Sequence, residues 1–271
     1  MIRHARGIVA LGAGAVLAAS LTAAATMAHA NPTPVGIVQN TSGVAGYFAN
    51  DNGQTRFRDV QADTTVVPQI KNLNGTSNGA LGVELCNPND GHAAQLGVWW
   101  NGTKYQVVYA TGNLNTALTD ACIMTGLITP TPQTLLTAFT INQGDRLHFE
   151  IFWQPHGFHA FHFNVCDITQ DVCRQAVVPT GWENLYEAGI GAVSNANTIT
   201  APANIGLDVF TGTKFNYYSS THAWNTIFVP AHWKLDQADF INSSSQVVMS
   251  SNGGLNGAGT TFPLFEGSTS P

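Results

Sequence analysis

The chain has 271 residues, of which only 10% are charged, and sixteen acidic residues outnumber ten basic ones. A net negative charge opposes binding to nucleic acid and to anionic membrane surfaces, so we expect neither as a partner. After the first thirty residues, no run approaches the ~20 apolar residues that a membrane-spanning helix needs. We expect a monomer without a cofactor.

Residues 1–30 have the pattern of a secretory signal peptide. Two arginines precede an apolar run over residues 8–21, and a small-x-small cleavage site ends at Ala30. Removing this segment takes away two of the ten basic residues and leaves eight against sixteen acidic ones, a net charge of −8. We therefore expect a secreted, extracellular protein with an N-terminal lead-in at 31–45 and a single domain at 46–271.

Four cysteines in an exported chain predict two disulfides, for which three pairings are possible. Cys166 and Cys173 flank a turn-like segment, which favours a local bridge and leaves Cys86 to pair with Cys122. Connectivity does not follow from sequence alone. A structural zinc site is disfavoured, because no two of these cysteines have the close spacing of zinc ligands.

From residue 46 onward, short apolar or alternating segments are separated by turn residues, and no ten-residue stretch has helical periodicity. The predicted strands are 46–49, 56–67, 80–86, 93–100, 105–110, 135–141, 146–153, 158–166, 172–178, 185–193, 205–210, 225–229, 245–249 and 261–265. So many short strands indicate an all-β sandwich or barrel.

The segment 93–110 is predicted to be a β-hairpin around an Asn-Gly turn. Alternation with period two gives it an apolar core face formed by Leu96, Val98, Trp100, Tyr105, Val107 and Tyr109. The opposite face carries Gln95, Gly97 and Trp99. Gln95 is therefore held on a stiff strand, away from the core, beside a glycine that leaves room for a ligand.

The segment 185–192 repeats this arrangement. Its core face is predicted to hold Tyr186, Ala188, Ile190 and Ala192. Glu187 falls on the other face with Gly189 and Gly191, which suggests a cleft floor that a substrate backbone can approach closely. Counting alone favours a simpler interpretation, in which Gln95 and Glu187 are solvent-facing residues of antiparallel strands.

Histidines are concentrated in a second predicted hairpin. With a turn at 154–157, one face of this hairpin holds His148, Glu150, Phe152, His159, Phe161 and Phe163. Two histidines and a glutamate on one face are compatible with a metal site. A metal site usually also needs a second shell that holds its ligands, and this face is lined with phenylalanine, as an aromatic groove or an ordinary core would be, so we expect no metal.

The sequence lacks several common hydrolase motifs. It has no Gly-x-Ser-x-Gly elbow, no His-Glu-x-x-His and no phosphate-binding glycine loop. No strand carries the alternating acidic cluster that a glucanase of this architecture would use as its pair of carboxylates.

Short motifs spread over residues 45–195 are Gly46-Tyr47, Thr65-Val66-Val67-Pro68, Leu81-Gly82-Val83, Gln95-Leu96-Gly97-Val98, Gly144-Asp145 and Glu183-Asn184-Leu185-Tyr186-Glu187. Together they resemble the glutamic peptidases (eqolisins), which are exported proteins. The resemblance implies an antiparallel β-sandwich of the concanavalin A-like, jelly-roll kind. The chain departs from that family at 109–112, where a Trp and an acidic residue are missing, and at 188–192.

The resemblance also implies an acid endopeptidase with Gln95 and Glu187 as its catalytic residues. The glutamate would act as the general base on a water that attacks a peptide carbonyl, and the glutamine amide would stabilise the oxyanion. Glu183 shares the parity of Glu187, and we place the base at Glu187 because it lies within the strand, beside glycines. The residues assigned to substrate binding are Trp99, Glu183, Phe152 and His159.

Two alternatives remain. The first is a non-catalytic module whose concave sheet binds a glycan or a peptide through Trp99, Phe152, His159 and Trp224. The second is a surface-exposed interaction domain without a small ligand. Convergence of Gln95 and Glu187 in a groove would favour the peptidase. Separated polar residues with coplanar exposed rings would favour the binding module.

Overall fold

A computed structural model defines the fold of the chain. It describes residues 36–40, 44–50, 56–64, 79–100, 105–114, 117–118, 121–122, 133–134, 140–154, 159–181, 185–194, 208–217, 225–226, 234–241, 245, 247–250 and 262–266. The expected signal peptide, the Asn-Gly turn, Glu183 and Trp224 lie outside these residues.

The described residues form strands and contain no helix, and so none that could cross a membrane. The strands are β1 (Gly36–Asn40), β2 (Val44–Asn50), β3 (Phe57–Thr64), β4 (Gly79–Cys86), β5 (His92–Trp100), β6 (Tyr105–Asn113), β7 (Ala117–Leu118), β8 (Ala121–Cys122), β9 (Gln133–Thr134), β10 (Leu147–Gln154), β11 (Ala160–Asp167), β12 (Val172–Pro179), β13 (Glu187–Ser194), β14 (Asp208–Tyr217), β15 (Asn225–Thr226), β16 (Lys234–Ile241), β17 (Val247–Ser250) and β18 (Phe262–Glu266).

The strands pack as two sheets. The first sheet has the order β17-β16-β2-β13-β4-β5-β6-β9, and β1 adds to β16 in parallel. The second sheet has the order β12-β11-β10-β3-β14, with β15 and β18 paired to β14. β18 also pairs with β17 and so links the edges of the two sheets. Because the main pairings are antiparallel, the prediction of an all-β antiparallel sandwich is confirmed.

The inner faces of the two sheets meet in one apolar core. It includes Leu81, Val83, Leu96, Val98, Val107, Ala188, Ile190 and Ala192 from the first sheet. The second sheet contributes Val60, Phe149, Ile151, Phe161, Phe163 and Val165. The predicted core faces of β5, β6 and β13 are therefore confirmed, and Tyr105 and Tyr109 pack against this core. Tyr186 precedes β13 and is partly exposed, and the side chain of Trp100 is not described.

The outer face of the first sheet, which points away from this core, is buried as well. Glu84 and Gln95 are 0% exposed and Glu187 is 1% exposed, and the neighbouring Ala80 and Val108 are also 0% exposed. The solvent-facing interpretation of Gln95 and Glu187 is therefore wrong. Polar side chains on this face are removed from water and need partners within the protein.

A row of glycines crosses the first sheet on its outer face. Gly46 opposes Gly191, Gly191 opposes Gly82, and Gly82 opposes Gly97. A Cβ atom added to Gly82 would lie 2.0 Å from the carbonyl oxygen of Leu96 and 2.7 Å from the Cα of Gly97. Only glycine permits the backbones to approach this closely.

The faces predicted for the β10–β11 hairpin are wrong by one residue. Phe152 opposes His162, and the two strands are joined by the five residues 155–159 rather than by four. A loop with an odd number of residues exchanges the two faces of the second strand relative to the prediction. Phe161 and Phe163 therefore lie in the core, whereas Phe152 faces outward.

Several of the strand predictions need correction, and β7 and β8 were not predicted. β1 falls in the predicted lead-in, and β16 was not predicted, because Asp236 and Asp239 interrupt its apolar pattern. The predicted strand 135–141 is wrong at residues 140 and 141, which are not in a strand, and β9 ends at Thr134.

The predicted disulfide between Cys166 and Cys173 is confirmed, and it joins β11 to β12. Cys86 is also bonded in a disulfide. The side chain of Cys122 is not described, so the pairing of Cys86 with Cys122 stays a prediction.

Replacement of Gly82 by alanine should destabilise the fold strongly. The new Cβ would collide with backbone atoms of β5, which cannot give way as a flexible side chain can. We expect a loss of about 3 kcal/mol or more in the free energy of unfolding, measured by urea denaturation.

Gly181→Ala is the matched control, because a Cβ there meets no atom within 4 Å. We expect it to change the free energy of unfolding by less than about 0.5 kcal/mol. Equal effects of the two substitutions would contradict the close approach of β4 and β5.

Candidate active site

The centre of the candidate site is a hydrogen bond between two side chains of neighbouring strands. Glu84 in β4 lies directly opposite Gln95 in β5. The Nε2 atom of Gln95 donates to Oε1 of Glu84 over 3.0 Å, and both side chains are fully buried. The structure therefore gives Gln95 a carboxyl partner that the sequence prediction did not assign.

Burial changes the chemistry of the Glu84 carboxyl. Desolvation raises its pKa from the ordinary value of 4.5 to about 8, and the hydrogen bond from Gln95 lowers it only in part. Glu84 is therefore protonated in acidic and neutral solution. Its Oε2 atom is buried and has no hydrogen-bond partner among the described residues.

Phe48 and Gly189 account for part of this apolar environment. Gly189 in β13 is paired with Phe48 of β2 on one side and with Glu84 of β4 on the other. A Cβ atom on Gly189 would lie 2.5 Å from Cε1 of Phe48, so the phenyl ring occupies the space above this glycine. The ring therefore covers the glycine directly beside Glu84.

Glu187 lies on the same outer face, at the start of β13. It opposes Cys86, whereas Gly189 opposes Glu84, so the two glutamates are diagonal neighbours. Such neighbours have Cα atoms about 7–8 Å apart. Gln95 is one strand further away, on the far side of β4. The three residues thus lie on one face, with Glu84 between Gln95 and Glu187, which are two strands apart.

Trp99 is also on this face, four residues beyond Gln95 along β5. Gly97 lies between them, within the glycine row. The indole Nε1 of Trp99 is buried and has no hydrogen-bond partner in the described part of the chain. This N–H group is a donor that a bound carbonyl would satisfy.

The structure does not bring Phe152 or His159 to this site. Phe152 lies on the outer face of the second sheet, across the core from Gln95, and stacks on His162 with ring centroids 4.3 Å apart. His159 is exposed beside β11, and its ring centroid is 6.0 Å from that of Trp153. Both residues are thus remote from the outer face of the first sheet.

Within the described ranges, no three His, Cys, Asp or Glu side chains are grouped so as to hold a metal ion. His148 and Glu150 point outward from β10, and His148 bonds through Nδ1 to Oδ1 of Asp63 at 2.5 Å. Asn164 donates to Glu150 over 2.7 Å. These two residues thus have protein partners.

The sequence did contain a signal for Glu84. It is the polar residue of a strand with Val83 and Leu85 in the core, and Gly82 lies two residues before it on its own face. Gln95 and Glu187 were identified from the same pattern. Glu84 was missed because its importance depends on its register with Gln95, which a single strand does not reveal.

Solved structures of glutamic peptidases are similar to this chain in shape. Scytalido-glutamic peptidase, in a complex with a peptide-based transition-state analogue, has a TM-score of 0.56 and 11% sequence identity, covering 83% of this chain and 98% of that chain. SCP-B, a member of the eqolisin family in a complex with the tripeptide Ala-Ile-His, has a TM-score of 0.53 and 12% identity with the same coverage.

No family model matches the sequence, and no curated protein matches it either. At 11–12% identity, the likeness to solved structures defines the fold and not the chemistry. It extends over almost the whole of each peptidase chain. The protein therefore has a glutamic peptidase-like β-sandwich fold.

Proposed function

We propose that the protein is a secreted, acid-acting endopeptidase that cleaves polypeptides with a water nucleophile. Gln95 and Glu187 are its catalytic residues, and Glu84 holds Gln95 in place. The buried hydrogen bond between Gln95 and Glu84, on the same face as Glu187, is the observation that carries this proposal.

Glu187 is the general base in this mechanism. Its carboxylate takes a proton from a water, which attacks the carbonyl carbon of the scissile peptide bond. The developing oxyanion accepts a hydrogen bond from the Nε2 group of Gln95. A neutral amide stabilises this charge without adding a charge of its own.

Glu84 has a different part, because its pKa of about 8 keeps it protonated throughout the acidic range. A protonated carboxyl is a poor base, but its carbonyl oxygen still accepts a hydrogen bond. Glu84 therefore fixes the orientation of the Gln95 amide through this hydrogen bond. In this proposal Glu84 keeps its proton while Glu187 accepts one, so the two glutamates have different roles.

A polypeptide is the substrate class that suits this face. The glycine row passes directly beside Gln95 and Glu84, so backbone without side chains borders the site. The buried Nε1 group of Trp99 supplies a donor for a substrate carbonyl. Since the three polar side chains are buried, the face must open for a peptide to enter.

Glu187→Gln should abolish hydrolysis of denatured casein at pH 3–5 by the protein lacking residues 1–30. Removing the base should lower kcat at least about 100-fold. Gln95→Ala should have an effect of about the same size through loss of the oxyanion donor. Because both side chains are buried, the free energy of unfolding of each variant is measured alongside its activity.

Gln175→Ala, on the exposed edge strand β12, should leave the rate of hydrolysis unchanged. If wild type hydrolyses casein and a folded Glu187→Gln variant does so at a similar rate, Glu187 is not the general base. If wild type cleaves nothing but binds denatured casein or a glycan, the protein is a binding module and the peptidase proposal fails.

The pKa of Glu84 predicts how stability depends on pH. Between about 4.5 and about 8, the unfolded chain ionises this carboxyl while the folded chain retains its proton. The stabilising contribution is complete below pH 4.5 and is lost as pH rises toward 8. We expect the free energy of unfolding, from urea denaturation at pH 4, 6 and 8, to fall by a few kcal/mol.

Glu84→Gln should remove most of this dependence on pH, because the amide stays neutral and can still accept from Gln95. It should also retain activity within about tenfold at pH 4, as expected for a residue that orients Gln95. Glu150→Gln, a substitution on the outer face of the second sheet, is the control and should keep the dependence. A variant at position 84 with the same pH profile as wild type would exclude a buried, protonated Glu84.

A further inference from the structure

The disulfide on the outer face of the second sheet has an unusual environment. Cys166 and Cys173 are directly opposite each other in β11 and β12, with Cα atoms 4.0 Å apart. Cys173 is exposed and Cys166 is partly exposed. β12 ends the order of the second sheet, so no further described strand covers this bridge.

A histidine–aspartate pair lies next to the bridge. His148 in β10 opposes Cys166 on one side and Asp63 in β3 on the other. Its Nδ1 atom bonds to Oδ1 of Asp63 at 2.5 Å. Side chains directly opposite each other in antiparallel strands have Cβ atoms about 4.5–5.5 Å apart. His148 and Cys166 are therefore cross-strand neighbours on the outer face of the second sheet.

The other charged groups around the bridge are few. Glu150 and His162 are on the same outer face, two and four residues along their strands from His148 and Cys166. Arg174 follows Cys173, and its Nη1 donates to the carbonyl oxygen of Cys173 over 2.7 Å. Asp171 lies in the exposed turn between the two strands.

We propose that the Cys166–Cys173 disulfide is a thiol–disulfide exchange site that takes a small thiol as its co-reactant. A thiolate attacks the exposed sulfur of Cys173, and the bond between the two cysteines breaks. Cys166 leaves with the electron pair and takes a proton from His148, whose ring is held by its bond to Asp63. The product is a mixed disulfide between the thiol and Cys173.

A second thiol completes the reaction. It attacks the small-molecule sulfur of the mixed disulfide, Cys173 leaves as a thiolate, and the two small thiols end as one disulfide. The protein gains two electrons and two protons overall. Exchange is faster when the leaving sulfur is a better leaving group, and a proton donor beside Cys166 makes it one.

The disulfide that contains Cys86 provides an internal contrast. Cys86 is fully buried, so a small thiol cannot reach it in the folded protein. The folded protein therefore combines an exposed bridge with a bridge whose Cys86 sulfur is protected from attack. This inference is independent of the proposed peptidase activity.

The test is native-state reduction with dithiothreitol at pH 6, followed by alkylation and mass spectrometry of each cysteine. We expect Cys166 and Cys173 to be alkylated while Cys86 stays in its disulfide. His148→Gln keeps a polar side chain but cannot donate a proton from a charged form. It should slow the reduction of the exposed bridge about tenfold.

Asp63→Asn should also slow the reduction of the exposed bridge, and it replaces His148→Gln in the experiment if that variant fails to fold. His162→Gln, on the same face but remote from Cys166, is the control and should react like wild type. A merely structural role of His148 would loosen the hairpin and accelerate reduction. Equal or faster reduction in a folded His148→Gln or Asp63→Asn variant, or reduction of the Cys86 bridge at the same rate, would overturn the proposal.

Discussion

Burial of the first sheet on both faces is the constraint on which the candidate site depends. One face packs on the core, and the other is closed as well, so its side chains are small, apolar or hydrogen-bonded. A buried carboxyl in such a place is stable when it is neutral and has a partner. Glu84 meets both conditions, since it keeps its proton up to a pKa of about 8 and accepts a hydrogen bond from Gln95.

The same register between β4 and β5 produces the close approach of the backbones at the glycine row and places Glu84 opposite Gln95. Gly82 opposes Gly97 two residues before Glu84 opposes Gln95, so the same pairing of β4 with β5 sets both the fold and the site.

Much of the fold follows from alternation in the sequence, because an inward residue on a strand fixes the direction of every second neighbour. The faces of β5, β6 and β13 were predicted correctly for this reason, and the four-residue loop between β5 and β6 preserves parity. The same counting failed for β10 and β11, where the loop has five residues and reverses the second strand. Parity across a loop depends on its length, and hydrophobic periodicity does not fix that length. β16 was missed for another reason: its aspartates break the apolar pattern, whereas backbone pairing with β2 and β17 holds the strand.

The candidate site was predictable in its residue types but not in its pairing. Alternation identified Gln95 and Glu187 as polar residues among glycines. It could not show that β4 lies between β5 and β13, because this order joins segments about a hundred residues apart. Once β4 is placed there, Glu84 becomes the direct partner of Gln95, and Glu187 becomes a diagonal neighbour. Alternation also could not predict the burial of these side chains, because a strand has the same alternating pattern whether its second face is exposed to solvent or covered.

The buried titratable groups of the sandwich favour a native state that is stable in acid. Burial raises the pKa of Asp167, as it does for Glu84, and Asp145 beside it acts in the same direction, so the native state gains stability when these groups are protonated. His162 acts in the opposite direction, because burial lowers its pKa, but its side chain is partly exposed and the effect is weakened by solvent. Near His162, side-chain amides form the hydrogen bonds on the outer face of the second sheet. Gln175 donates to Asn164 over 2.7 Å, and Asn164 donates to Glu150 over 2.7 Å. The bond between the two amides does not depend on ionisation. With a tenth of its residues charged, the chain has few ion pairs to lose when carboxylates take up protons. Acid therefore removes little from the native state and keeps the buried carboxyl group of Glu84 neutral.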